Sequence, residues 1–228
     1  VKAMLEHDLR VRWILETHAH ADHLSAGGYL RDVFGAELVI GRGIVGIQQR
    51  FQRLFGLDES FRADGSQFDR LVDDGDVLPL GAVGVRVLAT PGHTDDSVTY
   101  LVGDAAFIGD TLFAPDGGSA RCDFPGGNSA RLYASIQRIY ALPAQTRLFL
   151  CHDYPPTERK AQPETTILAQ RSGNTHARDG VSEADFVAMR NARDATLSPP
   201  RLILPAVQVN IRGGRLPDPD ANGIAYLR

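Results

Sequence analysis

Four potential metal ligands fall within six residues near the start of the chain: His18, His20, Asp22 and His23. Residues 11–15, just before them, predict a buried strand, so the group stands at a strand's end. Side chains alternate along a strand, and four of them can converge only from a loop. One ion, or two adjacent ions, could share such a set. A solvated, His-rich turn is the alternative, but ligand type and clustering favour a metal site.

Three further residues of the same chemical kind also follow predicted strands. His93 comes after a β-rich stretch and a Pro-Gly turn, Asp110 ends the second strand of a predicted hairpin, and His152 follows a short apolar strand. Ligands gathered on loops at one edge of packed sheets are what a rigid catalytic site needs. A carboxylate at Asp110 could bridge two ions or complete a three-ligand face on one. The Asp153 side chain, next to His152, could orient an imidazole by hydrogen bonding.

Strand and helix signals alternate along the chain, which indicates an α/β or α+β class and excludes an all-β one. The predicted strands cover residues 11–15, 37–40, 85–89, 97–102, 105–108 and 148–150, and the predicted helices cover 2–9 and 25–34 and begin again near 128 and 182. Gly103 and Asp104 predict a hairpin turn, and Ser182 a helix cap. Whether residues 42–64 form a helical lid stays open. The sequence predicts a single domain over residues 1–228, with 197–228 a Pro/Gly-rich wrapping tail.

The bulk composition excludes several classes of partner. A net charge of −4 over 228 residues gives no basic surface for nucleic acid or for an anionic membrane. The longest apolar runs are of strand length, which predicts no membrane span. Two cysteines cannot form a disulfide framework, so a reducing, cytoplasmic location is expected, with Cys122 and Cys151 both small buried side chains.

The motif series THAHADH, GHT, GDT and CHDY, in that order, resembles the metallo-β-lactamase superfamily over nearly the whole chain. The resemblance implies an α+β fold, an αββα sandwich of two mixed sheets with metals at one edge. In a two-metal member, His18, His20 and His93 would hold one ion, and Asp22, His23 and His152 the other, with Asp110 bridging. Family members have a β-hairpin region before the first helix, so these N-terminal strands are expected to be missing from this chain.

Within that superfamily, the stretch Gly-x-x-Arg-x-Asp-Phe at residues 118–124 resembles the persulfide dioxygenases, and the bacterial branch described as β-lactamase-like hydrolases, both related to glyoxalase II. This resemblance implies one Fe(II) per chain, held by His18, His93 and Asp110. Glutathione persulfide and dioxygen would be the substrates, and sulfite and glutathione the products. A second-metal or hydrogen-bonding role would fall to the remaining four residues of the set: His20, Asp22, His23 and His152.

Three other residues are candidates around the substrate. Arg121 could bind a glutathione carboxylate with its planar fork, and a structural pair with Asp123 is the equal alternative. Tyr154 could hydrogen-bond the substrate, and packing with an exposed hydroxyl is its alternative. The resemblance leaves a homodimer open, and no stretch of the chain argues for one independently.

Two other functions compete with the dioxygenase. A glyoxalase II-type hydrolase with two Zn²⁺ ions would cleave a glutathione thioester with a metal-bound hydroxide, and all seven ligands for it are present. The Arg121–Phe124 stretch and the short C-terminal region argue against it. A non-catalytic sensor would be marked by a degenerate metal site, and none of the seven ligands is substituted. His and carboxylate ligands accept iron, zinc or manganese, so the sequence leaves the metal open.

Overall fold

A computed structural model describes residues 1–219 of the protein, which group into two compact units. Unit 1 comprises Val1–Val72 with the described residues from Pro199 onward, and unit 2 comprises Asp73–Ser198. Each unit combines helices with one β-sheet, so the predicted α+β class is confirmed. The single domain over residues 1–228 stays a prediction.

Helices and strands alternate over residues 2–72, strands follow one another over residues 70–107, and most of the later elements are helices. The helices are α1 (Lys2–Glu6), α2 (Gly27–Phe34), α3 (Ile44–Phe55), α4 (Ser129–Tyr140), α5 (Ile167–Gly173), α6 (Glu183–Asp194) and α7 (Ile203–Asn210). The strands are β1 (Trp13–Leu15), β2 (Glu37–Gly41), β3 (Arg70–Val72), β4 (Val77–Leu80), β5 (Val83–Ala89), β6 (Val98–Val102), β7 (Ala105–Phe107), β8 (Arg147–Phe149) and β9 (Glu164–Thr166). A single 3₁₀ turn, Gly109–Thr111, follows β7.

The sheet of unit 1 has three parallel strands in the order β1-β2-β3. Its central strand buries Leu38, Val39 and Ile40 completely or nearly so. A continuous buried run of this kind is typical of a parallel strand that is covered on both faces. Helix α2 packs against β1 and β2, and it ends at Gly35, whose left-handed backbone terminates the helix. The predicted strand and helix of this region are therefore confirmed.

The sheet of unit 2 has six strands in the order β4-β5-β6-β7-β8-β9. Every neighbouring pair is antiparallel except β7 and β8, which run parallel. The predicted hairpin is confirmed as β6 and β7, joined at Gly103, where φ is +57°. The ends of β5, β7 and β8 carry the loops in which sequence patterns predicted ligands.

Helix α4 lies in the core of unit 2. It begins after Asn128, whose side chain accepts a hydrogen bond from the backbone N–H of Arg131 and so caps the helix. Its apolar face is completely buried at Leu132, Ile136 and Ile139, and the helix packs against α6. The predicted helix that begins near residue 128 is therefore confirmed.

Helix α7 lies inside the segment that the sequence predicted as a Pro/Gly-rich wrapping tail. Pro205 is compatible with a helix here because it occupies the first turn, where a backbone N–H has no partner within the helix. The helix was not predicted because prolines and glycines surround it in the sequence. The predicted tail also includes residues 220–228, which lie outside the described part of the chain. Within residues 1–219, no helix combines the length and apolar character that a membrane span requires.

Candidate metal centre

In unit 1, the candidate ligands lie on the loop that leaves β1, residues 17–23, which we call the histidine loop. His18 and His20 are buried, and their ring centroids lie 4.0 Å apart. The ring of His23 lies 4.1 Å from that of His20, and its Nδ1 is 3.2 Å from a carboxylate oxygen of Asp22. One ligand atom each from His20, Asp22 and His23 falls within 4.8 Å of the others. The loop therefore brings together the four donors that the motif predicted.

Asn210, at the end of α7, holds the histidine loop in this shape. Its side-chain amide donates hydrogen bonds of 2.8 Å to the backbone carbonyls of His20 and His23. Its carbonyl oxygen accepts a third bond, also of 2.8 Å, from the backbone N–H of Ser25. The Ser25 hydroxyl in turn donates to Glu16 at the start of the loop. Sequence analysis missed Asn210, since nothing near it in the chain indicates partners 185 to 190 residues away.

In unit 2, three candidate ligands lie close together, with two imidazole rings facing one carboxylate oxygen. The Oδ2 atom of Asp110 lies 3.7 Å from Nε2 of His93 and 3.6 Å from Nε2 of His152. These separations exceed ordinary hydrogen bonds, which are about 2.7 to 3.2 Å long. They are close to the separation of two ligands of one ion, since two donors each about 2.0 to 2.2 Å from a metal stand about 3 to 3.6 Å apart. The donors thus have the chemistry and the spacing of a metal site.

The ring of His93 is oriented by a backbone carbonyl. Its Nδ1 atom hydrogen-bonds the carbonyl oxygen of Arg121 at 2.7 Å. A carbonyl only accepts, so Nδ1 carries the proton and Nε2, the atom that faces Asp110, is the one left to bind a metal. Nδ1 of His18 also has a hydrogen-bond partner, the Thr17 hydroxyl at 3.1 Å, but a hydroxyl both donates and accepts, so this bond orients the ring without fixing its tautomer.

The guanidinium of Arg121 is engaged with a carboxylate of its own chain. Its Nε and Nη2 atoms donate to the two oxygens of Asp123, each at 2.6 Å, and Nη1 donates to the carbonyl of Ser198 at 2.8 Å. The pair raises the pKa of Arg121 and lowers the pKa of Asp123, chiefly through these hydrogen bonds. The pair that the sequence offered as one alternative is thus present, and binding of a substrate carboxylate by Arg121 stays a prediction.

Tyr154 is exposed, and its ring stacks beside that of His152 with centroids 5.8 Å apart. Its role toward a substrate stays a prediction.

The neighbouring Asp153 was expected to orient an imidazole, but the structure gives it a different partner. Both of its oxygens accept hydrogen bonds of 2.7 Å from Arg159, so this carboxylate holds a guanidinium and not an imidazole. Arg159 also lowers the pKa of Asp153.

The two cysteines differ, although both were expected to be buried. Cys122 is buried, and its burial raises the pKa of the thiol to about 12, which keeps it protonated and unreactive. Cys151 is exposed, so the prediction was wrong for this residue. It lies two residues after Phe149, the last residue of β8, and its sulfur lies within 4.8 Å of ligand atoms of Asp110 and His152. A thiol thus stands beside the candidate ligands.

Comparison with known proteins gives close relatives. The chain is 54% identical over 96% of its length to a probable metallo-hydrolase of Burkholderia pseudomallei, of which it covers 78%. It is 53% identical over 97% of its length to a β-lactamase hydrolase-like protein of Agrobacterium fabrum, but spans only 51% of that protein. The human mitochondrial persulfide dioxygenase ETHE1 is 31% identical, with coverage of 84% of this chain and 72% of the enzyme.

Among solved structures, the crystal structure of ETHE1 from Myxococcus xanthus is similar, with a TM-score of 0.76 and 32% sequence identity. The alignment covers 94% of this chain and 82% of that one. The family model of the metallo-β-lactamase superfamily matches residues 2–152, a range that contains all seven candidate ligands. The chain therefore belongs to the metallo-β-lactamase superfamily and has its fold.

Proposed function

We propose that the protein is a persulfide dioxygenase that uses one non-haem Fe(II) to oxidise glutathione persulfide to sulfite. The observation that carries the proposal is the pair of His93 and Asp110, whose facing atoms are 3.7 Å apart and whose histidine tautomer is fixed by the Arg121 carbonyl. Arg121 also belongs to residues 118–124, the stretch that resembles the Arg-x-Asp-Phe pattern of the persulfide dioxygenases. Relatives that carry this name, at 31% identity in sequence, support the choice.

The proposed ligands of the iron are His18, His93 and Asp110. Two histidines and one carboxylate on one face leave open positions for a substrate and dioxygen, an arrangement known from non-haem Fe(II) oxygenases. When bound, iron supplies the redox chemistry that joins dioxygen to the terminal sulfur. Glutathione persulfide, dioxygen and water give glutathione and sulfite with release of two protons, so atoms and charge balance. The assignment of His18 to the same ion as His93 rests on the family pattern.

The other residues of the chain would bind and orient the reactants. Arg121 uses three of its five N–H groups on Asp123 and Ser198, which leaves two for a carboxylate of glutathione. Tyr154, exposed beside His152, would offer its hydroxyl to the substrate. The ligands or water would be oriented by hydrogen bonds from His20, Asp22, His23 and His152. A cytoplasmic location and a homodimer stay predictions.

A two-zinc hydrolase acting on a glutathione thioester is the second candidate. It is favoured by the complete set of seven ligands and by the name metallo-hydrolase of the relative from Burkholderia pseudomallei. In that case the second ion would be held by Asp22, His23 and His152, and Asp110 would bridge the two ions. The two candidates differ in metal content and in the need for dioxygen.

The deciding experiment measures the metal content, followed by anaerobic reconstitution with iron and assays of oxygen uptake and sulfite release with glutathione persulfide. We expect about one iron per chain and, for Asp110→Ala, a loss of activity of at least about a hundredfold, because an iron ligand is removed. Asp104→Ala, in the exposed hairpin turn, is the matched control and retains activity. Two zinc ions per chain, thioester hydrolysis and no oxygen uptake would refute the proposal.

A further inference from the structure

Helix α6 buries an ion pair formed by two of its own side chains. Arg190 is 1% exposed and Asp194 6% exposed. The guanidinium Nε donates to Oδ1 of Asp194 at 2.9 Å, and Nη2 lies 2.6 Å from the same oxygen. Removing two charges from water is costly, and replacing such pairs by apolar residues is often neutral or stabilising. The pair is therefore poorly explained by stability alone.

The same two side chains hold a segment of backbone that lies between β7 and α4 in the chain. Nη1 of Arg190 donates to the carbonyl of Ser119 at 3.0 Å, and Oδ2 of Asp194 accepts from the backbone N–H of Cys122 at 2.7 Å. Both bonds are buried. They fix the two ends of the segment Ser119–Cys122, so the peptide units of this segment have little freedom to turn, and the Arg121 carbonyl shares a peptide unit with the bonded Cys122 N–H.

The carbonyl that orients His93 lies inside this fixed segment. It belongs to Arg121, and it accepts the 2.7 Å bond from Nδ1 of His93 that leaves Nε2 toward Asp110. The Arg121 side chain also restrains its own backbone, because it donates two hydrogen bonds to Asp123. A continuous chain of hydrogen bonds thus runs from α6 to a candidate metal ligand.

We propose that the buried Arg190–Asp194 pair is a positioning device, which aims the Nε2 atom of His93 at the metal through the Arg121 carbonyl. The inference rests on the proposed role of His93 as a metal ligand, but not on the reaction that the metal catalyses. Arginine is needed at position 190 because its planar fork binds Asp194 and the Ser119 carbonyl at once. A lysine ammonium could keep the charge pair but has no such fork.

The test measures binding of Co²⁺ to the full chain by competition with a chromogenic chelator, together with the visible absorption of the Co²⁺ form. The first variant is Arg190→Lys, which keeps the charge and should keep the fold. Outer partners of metal ligands change metal affinity by about ten- to a hundredfold when mutated, so we expect at least tenfold weaker Co²⁺ binding and an altered spectrum. The metal-free melting temperature reports folding separately.

A second variant and two controls make the outcome unambiguous. Arg190→Met with Asp194→Leu removes both charges and should lower affinity at least as much as Arg190→Lys. Arg171→Lys, in the exposed pair with Asp179, should bind Co²⁺ as the wild type does. His93→Ala defines the affinity without this ligand, and an unchanged value would overturn the inference at its base.

Wild-type affinity and spectrum in both Arg190 variants would also overturn the inference. A wild-type protein that binds Co²⁺ through His93 but, loaded with iron, consumes no oxygen with glutathione persulfide would refute the proposed function. The Co²⁺ results for the Arg190 variants would still support the positioning role in that case.

Discussion

Asn210 provides three of the hydrogen bonds that shape the histidine loop, and each of its partners is a backbone group. Asn210→Ala would leave two carbonyls and one N–H of this buried region without their partner. Each unmade bond of this kind costs about 1 to 3 kcal/mol, and some of the loss is recovered by relaxation. We therefore expect the free energy of unfolding to fall by about 2 to 3 kcal/mol, measured by urea denaturation.

The matched control for Asn210 is Asn191→Ala, on the exposed side of α6, where the asparagine accepts one hydrogen bond from Ser129. This variant should lose less than about 1 kcal/mol. Equal losses at the two positions would contradict the special role of Asn210. Weaker metal binding in Asn210→Ala alone would further connect the asparagine to the ligands on the loop.

At the residue scale, the candidate ligands could be predicted from the sequence as a group, while the residues that support them could not. His18, His20, Asp22 and His23 are revealed by residue type and close spacing. Arg190 is typical of the charged face of an amphipathic helix, and only the packed structure shows it to be buried. Arg190 and Asp194 have their partners on the Ser119–Cys122 segment about 70 residues away in the chain, so no local pattern indicates them.

At the scale of elements, the turn before His93 depends on the close approach of α4. Gly92 has a φ of +143°, and a Cβ atom there would stand 2.3 Å from the backbone nitrogen of Leu132. The helix also binds the turn directly, since the N–H of Asn128 donates to the Gly92 carbonyl at 2.8 Å and the Ser135 hydroxyl donates to Pro91 at 2.6 Å. The turn and the helix therefore fit only with glycine.

Gly92→Ala should destabilise the protein by about 3 kcal/mol or more, because either the turn or the helix backbone must move. Gly103→Ala is the control, since that glycine also has a positive φ of +57° but no atom within 4 Å of the added Cβ. It should cost about 1 to 2 kcal/mol, the usual cost of a left-handed backbone for a non-glycine residue. Thermal unfolding of both variants would test this, and similar losses would contradict it.

Some elements were predictable because their signals are local, and others were not. The β6–β7 hairpin follows from alternating strands around Gly103-Asp104, and α4 follows from a cap and an apolar face. Strand β4 contains Pro79, and α7 contains Pro205, so both contradict simple propensity. Each forms because of tertiary partners: β4 pairs with β5, and α7 places Asn210 against the histidine loop.

At the scale of the whole molecule, His176 should make stability depend on pH. Burial, more than the nearby arginines, lowers the pKa of His176 from 6.5 to about 4, while its Nδ1 accepts a hydrogen bond from the Ser119 N–H at 2.9 Å. Between pH 6.5 and 4 the unfolded chain therefore binds a proton that the folded chain does not. Stability contributed by this group is complete above pH 6.5, falls as pH decreases toward 4, and falls no further below 4.

We expect His176 to lower the free energy of unfolding by about 1 to 2 kcal/mol as the pH falls from 6.5 to 4. The side chain is only partly buried, and solvent reduces the effect. In His176→Gln, the free energy of unfolding should change less between pH 6.5 and 4 than in the wild type. His7→Gln, at an exposed position, serves as the control and should follow the wild-type curve. Parallel curves for all three proteins in urea denaturation would refute the assignment.

The bonds between Asn210 and the histidine loop have a consequence for the order of events during synthesis. The two partners are 190 residues apart at His20, so a ribosome that adds about 5 to 20 residues per second needs about 10 to 40 s between them. For that interval the loop lacks the amide that holds its carbonyls, and the histidines emerge before their support exists. Contacts of such long separation also slow folding. The first candidate ligands to be translated are thus fixed only once α7 has left the ribosome.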